Sequence, residues 1–201
     1  MLMGGVLALA AAVTTSASVV HLDAALGRMA RSSASELSLL GSTVSSLAAT
    51  DLVLPLTAAA VLGLCLFRHW GGALTLLVAV FGTQAVVQLI KVLVERPRPG
   101  ANAGATDAAG FSFPSAHSAT AMALYATLTF LAARACTGWL RFAIVAAGTG
   151  LVLAVGASRI LLAAHYPIDV FAGWLTGAAL VSASWLLVTR VVALRTPAPA
   201  S

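Results

Sequence analysis

Three stretches of this chain carry reactive side chains in an otherwise apolar sequence. In KVLVERPRPG (91–100), Lys91 lies about one helical turn inside an apolar run. A charge there is costly and marks a functional site, unless the amine snorkels to the interface. Pro97 and Pro99 bracket Arg98; the first stops a helix, and the second biases Arg98 toward an extended conformation in which it folds back toward Lys91. In FPSAHSAT (113–120), Pro114 is expected in the first turn of a helix. The free N–H groups there, the positive end of the helix dipole, the Ser115 hydroxyl and the open backbone at Ala116 form an anion site, with His117 facing the anion. Taken alone, the same residues are an ordinary Ser-capped helix start. In SRILLAAHYPID (158–169), Asp169 follows His165 by four residues, in the first turn of a helix that Pro167 begins. Its carboxylate can hold His165 Nδ1 and leave Nε2 as the free, nucleophilic nitrogen, or it can serve as a simple helix-end contact.

Together the stretches supply three cations (Lys91, Arg98, Arg159), two imidazoles (His117, His165), one carboxylate (Asp169) and a helix N-terminus. Phosphoryl transfer without a metal needs such a set. Cations neutralise the nonbridging oxygens, a nucleophile attacks phosphorus in line, and an acid protonates the leaving oxygen. Two histidines and an aspartate are also possible metal ligands. Three cations around the same point would repel a divalent ion, however, and no HExxH or carboxylate cluster accompanies them, so neither a metal nor another cofactor is expected.

The elements that must position these groups are set by composition. Of the 201 residues, 8% are charged and 60% hydrophobic, and the mean hydropathy is +1.00. Soluble domains are about one quarter charged, so the expected fold is an all-α, polytopic membrane helical bundle in one domain over residues 1–201. About six spans are expected: Leu2–Val20, Leu52–Phe67, Ala73–Leu93, Pro114–Ala133, Leu140–Ala157 and Ile168–Leu187. The first also resembles a signal peptide, with TTSAS as a cleavage region. After it, Leu22, Leu26 and Met29 recur at helical spacing, so Leu22–Arg31 is expected to lie flat in the interface. The Ser-rich stretch beyond is read as a connector or a short helix. The net charge of +5 is scattered rather than clustered, which excludes a nucleic-acid binder. Cys65 and Cys136 are read as small buried hydrophobes.

Six spans place Arg68, Arg134, Arg141, Arg190 and Arg195 on one face with no acid. The opposite face receives Arg28, Arg31, Lys91, Arg96, Arg98, Arg159 and all six acids. Setting aside Lys91, Arg98 and Arg159 as site residues leaves five basic residues against three, so the acid-free face is expected to be cytoplasmic and the reactive face external.

The three stretches resemble the type 2 phosphatidic acid phosphatase superfamily of lipid phosphate phosphatases, whose motifs are K-x6-R-P, P-S-x-H and S-R-x5-H-x3-D. Here they read Lys91–Arg98–Pro99, Pro114–Ser115–Ala116–His117, and Ser158–Arg159 through His165 to Asp169, with every spacing intact. The one departure is Ala116, where many members carry glycine. The resemblance covers a core of about 91–169 and implies a role for each residue. His165 is the nucleophile that becomes a phosphohistidine, Asp169 orients it, and His117 protonates the leaving group. Lys91, Arg98, Arg159, Ser115 and amides near Ala116 hold the phosphate, without a metal. Vanadate-dependent haloperoxidases are related but soluble, so the spans argue against that activity here. The partners implied are the bilayer and a lipid phosphate: a polyprenyl diphosphate such as undecaprenyl diphosphate, phosphatidylglycerol phosphate or phosphatidic acid. A phosphotransferase of the same fold stays open. So does a membrane transporter, although the charges lie at span ends and not near the midplane.

Other polar residues receive ordinary readings. His21 and His69 are interfacial, Glu95 and Arg96 border the first motif and are read as a solvated helix end ahead of a role in tuning substrate binding, Asp51 is a cap, and Asp107 is part of a Gly/Ala-rich loop over 100–110 that could act as a lid. The four tryptophans are interfacial or packing aromatics, and Gly173 and Gly177 a small-residue helix contact.

Overall fold

The computed structural model describes residues 1–32, 38–99 and 110–195, without the side chains of 38 and 192–195. The helices are α1 (Leu2–Thr15), α2 (Ala17–Ser32), α3 (Ser38–Ser46), α4 (Thr50–Leu66), α5 (Trp70–Val94), α6 (Ala116–Ala121), α7 (Thr127–Arg134), α8 (Gly138–Leu161) and α9 (Pro167–Arg195). A π-helical turn, Met122–Ala126, joins α6 to α7. No strand occurs among the described residues. Asp107 and, apart from Gly110, the loop over 100–110 read as a lid lie outside them, as do residues 33–37 of the Ser-rich stretch, whose later part forms the short helix α3.

Among the described residues, four helical stretches are long and apolar enough to cross a membrane: 39–66, Trp70–Val94, Gly138–Leu161 and 167–191. The first takes in both α3 and α4, so the span expected at Leu52–Phe67 begins well upstream. The run expected at Leu2–Val20 is instead a pair, α1 and α2, bent by 99° at Ser16. The count of six is therefore not reached on length and composition, which give four spans, or five with the bent pair. The residues of the expected fourth span form the helical segment Ala116–Arg134, divided by its π turn, and this segment is not one of those four stretches.

Helix ends follow local chemistry. Past Val94, Glu95 turns left-handed (φ 50°), and Pro97 and Pro99 keep the chain from helix. Pro167 opens α9 with Asp169 in its first turn, as expected. Pro114 differs from expectation. It precedes the N-cap, Ser115, and the helix starts at Ala116. Asp51 also differs: it sits inside the first turn of α4, whose N-cap is Ala49.

Helix α9 is central, packed against α5, α6 and α1, while α8 packs against α3, α6 and α7. One apolar cluster joins Val53, Leu76, Val80, Leu124, Val152 and Val155; a second wedges Val6 and Val13 of α1 against Ile90, Phe113 and Ala172. Many large apolar residues face outward, Leu62, Phe81, Leu89 and Leu186 among them. Such an exterior suits hydrocarbon rather than water, where helices satisfy their own backbone. Glycines set the closest approaches. A Cβ on Gly173 would stand 2.6 Å from the Ser115 carbonyl oxygen, and one on Gly177 2.5 Å from that of Ala119. The pair read as ordinary packing thus seats α6 against α9.

Candidate active site

The C-terminal end of α5, the N-terminal end of α6, the last turn of α8 and the first turn of α9 meet at one end of the bundle. Between them lies a cavity of about 280 Å³ whose walls include Lys91, Arg98, Ala116, His117, Arg159 and His165. Six of the eight residues singled out from sequence therefore face one space. The other two stand behind its wall, Ser115 and Asp169, each 0% exposed.

Each cation is anchored by a neutral group. Lys91 Nζ donates to the Phe111 carbonyl. Arg98 donates from Nε to Gly110 O at 3.0 Å and from one terminal nitrogen to Ala164 O at 3.0 Å. Arg159 donates to Ser45 Oγ, and its buried Nε has no partner among the described residues. None of the three makes an ion pair with a carboxylate among the described residues. Burial lowers the Arg98 pKa from its ordinary value, yet a guanidinium stays charged at any working pH.

His165 is 1% exposed, in the turn between α8 and α9. Its Nε2 lies 3.3 Å from an Arg98 terminal nitrogen. A guanidinium can only donate, so Nε2 must be the acceptor and the proton must sit on Nδ1. That is the tautomer with a nucleophilic Nε2. Burial, then Arg98 and Arg159, lowers His165 to about 4 against the opposing pull of Asp169, so the ring is neutral near pH 7.

Asp169 is used differently from expectation. Its Oδ2 is 3.6 Å from His165 Nδ1, beyond hydrogen-bond reach, and accepts the Tyr166 N–H at 2.9 Å instead. Its Oδ1 takes a 2.6 Å bond from Arg96. Arg96, read as part of a solvated helix end, is 6% exposed. It also binds Asp23 Oδ2 at 2.9 Å and stacks 4.2 Å over the Tyr166 ring. Asp23 Oδ1 in turn accepts the Ile168 N–H at 2.9 Å, so α2 helps hold the start of α9. Sequence reasoning missed Arg96 and Asp23. Arg96 stands next to a proline, where helix-end exposure was assumed, and Asp23 is 145 residues distant from its α9 partner.

Ser115 acts as an N-cap. It accepts the Ser118 N–H at 3.4 Å and the Ser118 hydroxyl at 3.0 Å, while its own N–H donates to Asp169 O at 2.9 Å. The latter bond ties the start of α6 to α9. His117 lies in the first turn of α6, facing the cavity.

Comparison with known proteins gives three findings. The family model described as PAP2 superfamily matches residues 72–193. Phosphatidylglycerophosphatase B of Bacillus subtilis (strain 168) is 32% identical over 139 residues, 67% of this chain and 66% of that protein. The chain thus spans just under two thirds of this relative's length. The crystal structure of a transmembrane PAP2-type phosphatidylglycerolphosphate phosphatase from Bacillus subtilis superposes with a TM-score of 0.81 at 25% identity, covering 97% of this chain and 96% of that one.

Proposed function

The chain belongs to the PAP2 superfamily, and on that footing we propose that it is an integral membrane phosphatase acting on a lipid phosphate or diphosphate. The observation that carries this reading is the cavity itself, in which cations and imidazoles from α5, α6, α8 and two connecting segments surround one space. Cations so placed stabilise charge that grows on the phosphoryl oxygens in the transition state, and the low-dielectric wall strengthens each interaction.

The reaction we propose uses this geometry. Lys91, Arg98 and Arg159 take the nonbridging oxygens, with the amides of Ala116 and His117 as further donors. Once Arg98 turns its hydrogen bond from His165 to phosphate, Nε2 attacks phosphorus in line. The bond from phosphorus to the lipid oxygen breaks, and His117 gives that oxygen its proton. Water then attacks the phosphohistidine, His117 takes a proton back, and inorganic phosphate leaves. Asp169, held by Arg96, supplies negative charge beside Nδ1 as His165 becomes cationic. Ser115 caps the α6 end, which holds the Ala116 and His117 amides toward the phosphate, and its hydroxyl is a further donor implied by the family resemblance.

Phosphatidylglycerol phosphate is the first candidate substrate, because both similar proteins are named for it. Undecaprenyl diphosphate and phosphatidic acid follow. The cavity opens where the spans end, so the phosphate is presented by a lipid at the interface, here assigned to the external face of the cell membrane. The test is phosphate release by purified protein from these three lipids with EDTA present. Release is expected without divalent metal, abolished in His165→Ala and sharply reduced in His117→Ala. Turnover that needs a second phosphoryl acceptor would make the chain a phosphotransferase. Loss with EDTA and recovery with one metal would overturn the mechanism.

A further inference from the structure

A cavity larger than the one beside His165 lies at the other end of the bundle. Its volume is about 850 Å³, within the roughly 300–1,000 Å³ typical of ligand sites. The turn from α4 to α5 contributes Arg68, α5 begins its wall with Trp70, α7 contributes Leu131 and Arg134, and α9 contributes Trp185 and Val188. A second cavity, of about 310 Å³, shares Arg134 and extends along Phe130 and Leu153 to Arg141.

The backbone at Arg68 and the side chain of Arg134 are held in place. Arg68 sits in a left-handed turn (φ 61°), fixed by its N–H bond to Cys65 O at 2.9 Å and by the next N–H to Leu64 O at 2.7 Å. The Arg134 guanidinium lies 5.1 Å over the Trp185 ring and 5.5 Å over Phe130, and these two rings meet edge to face at 4.9 Å. All the ion pairs among the described residues belong to the His165 end, so neither Arg68 nor Arg134 has a carboxylate partner there. The site combines two grooves with largely apolar walls, aromatic rings, the Arg134 guanidinium shared by both grooves and Arg68 on the wall of the larger. That chemistry fits a molecule with two hydrocarbon chains and one negative head. A soluble phosphate would leave the grooves empty. A second copy of this chain in the same orientation offers these arginines no carboxylate from the described residues: Asp23 and Asp169 are buried, Glu95 lies at the other end, and Asp51 lies in the first turn of α4, a helix length away from Arg68.

We propose that this end of the bundle binds an anionic phospholipid, its phosphodiester between Arg68 and Arg134 and its acyl chains in the two grooves, at a site separate from the His165 cavity and in the opposite leaflet. The inference is independent of the phosphatase reading.

The test uses the full chain with Trp139→Phe and Trp174→Phe, so that fluorescence reports on Trp70 and Trp185 in the cavity wall. Brominated phosphatidylglycerol and brominated phosphatidylcholine are titrated in non-ionic micelles. Quenching is expected at about thirtyfold lower concentration for phosphatidylglycerol, the worth of two guanidiniums at a lipid surface. Arg68→Gln/Arg134→Gln should bring the two lipids close to parity, whereas Arg134→Lys and His165→Gln should keep most of the preference. Equal quenching by both lipids in the parent, or a preference that survives the double substitution, overturns the proposal. So does loss of the preference in His165→Gln. Thermal unfolding and elution volume check the fold. Should the double variant unfold, Arg68→Gln alone, at an exposed position, must reduce the preference severalfold, and an unchanged value overturns the proposal equally. Dimerisation abolished by the same substitutions without lipid discrimination would assign the surface to a second copy instead.

Discussion

At the scale of single residues, the charge balance around His165 decides most of the behaviour. Arg96 is the counter-ion of two buried carboxylates, Asp23 and Asp169. Truncating one member of a buried ion network leaves the others uncompensated, at a cost of about 3–5 kcal/mol. Arg96→Ala is therefore expected to lower the unfolding temperature markedly and to reduce kcat, while Asp23→Asn, which keeps an oxygen for the Ile168 N–H, should be milder. Thermal melts and steady-state rates of both variants check this, and equal losses would contradict it. A second expectation concerns pH. His165 has a folded-state value of about 4 against 6.5 unfolded. Between those values the unfolded chain binds the extra proton, so this group lowers stability as pH falls from 6.5 to about 4, by roughly 3 kcal/mol across the window. His165→Gln should accordingly lose less stability than the parent between pH 7 and pH 5, measured by melts at both pH values. The residues that line the cavity were legible in the sequence because K-x6-R-P, P-S-x-H and S-R-x5-H-x3-D are fixed local spacings. Arg96 and Asp23 were not, because their pairing depends on α2 folding back over the start of α9.

At the scale of elements, the site depends on how α6 sits beside α9. The Ser115 N–H bond to Asp169 O and the contacts at Gly173 and Gly177 fix that placement. Gly173→Ala would push a methyl group to 2.6 Å from a backbone oxygen, which cannot swing aside as a flexible side chain would. Overpacking of this kind costs about 1–3 kcal/mol. The α6 N-terminus should move away from the cavity, so phosphate release should fall by more than tenfold. Gly63→Ala, with nothing within 4 Å of the added carbon, is the control and should be neutral or slightly stabilising. Apolar run length foretold most of the helices, but two features escaped it. The 99° bend at Ser16 follows a residue with no breaker signature. The π turn at Met122–Ala126 inserts an extra residue per turn without a proline or glycine to announce it. It orients Tyr125, whose hydroxyl donates to Leu47 O at the break between α3 and α4, a link that hydropathy cannot encode.

At the scale of the whole molecule, the question is which end faces the cytoplasm. Counting loop arginines from sequence gave five against three, a margin that rested on treating Lys91, Arg98 and Arg159 as site residues. Those three line one cavity, and Arg96 is buried between two aspartates, so it is not a free loop charge either. Only Arg28 and Arg31 then remain at the His165 end, while Arg68, Arg134, Arg141 and Arg190 stand at the other with no acid beside them. The margin widens in the direction that places the reactive end outside, since positive loops are retained in the cytoplasm. The apolar face of α2 agrees with a helix lying along that outer boundary: Leu22, Leu26 and Met29 are exposed while Asp23 and Gly27 face the protein. Orientation can be read with single cysteines in a chain whose Cys65 and Cys136 are alanine. A membrane-impermeant maleimide applied to intact cells should label Glu95→Cys, at the reactive end, and should label Thr137→Cys, beside α8 at the opposite end, only after permeabilisation. The reverse pattern would put the cavity on the cytoplasmic side, where the lipid phosphate would have to be presented from the inner leaflet.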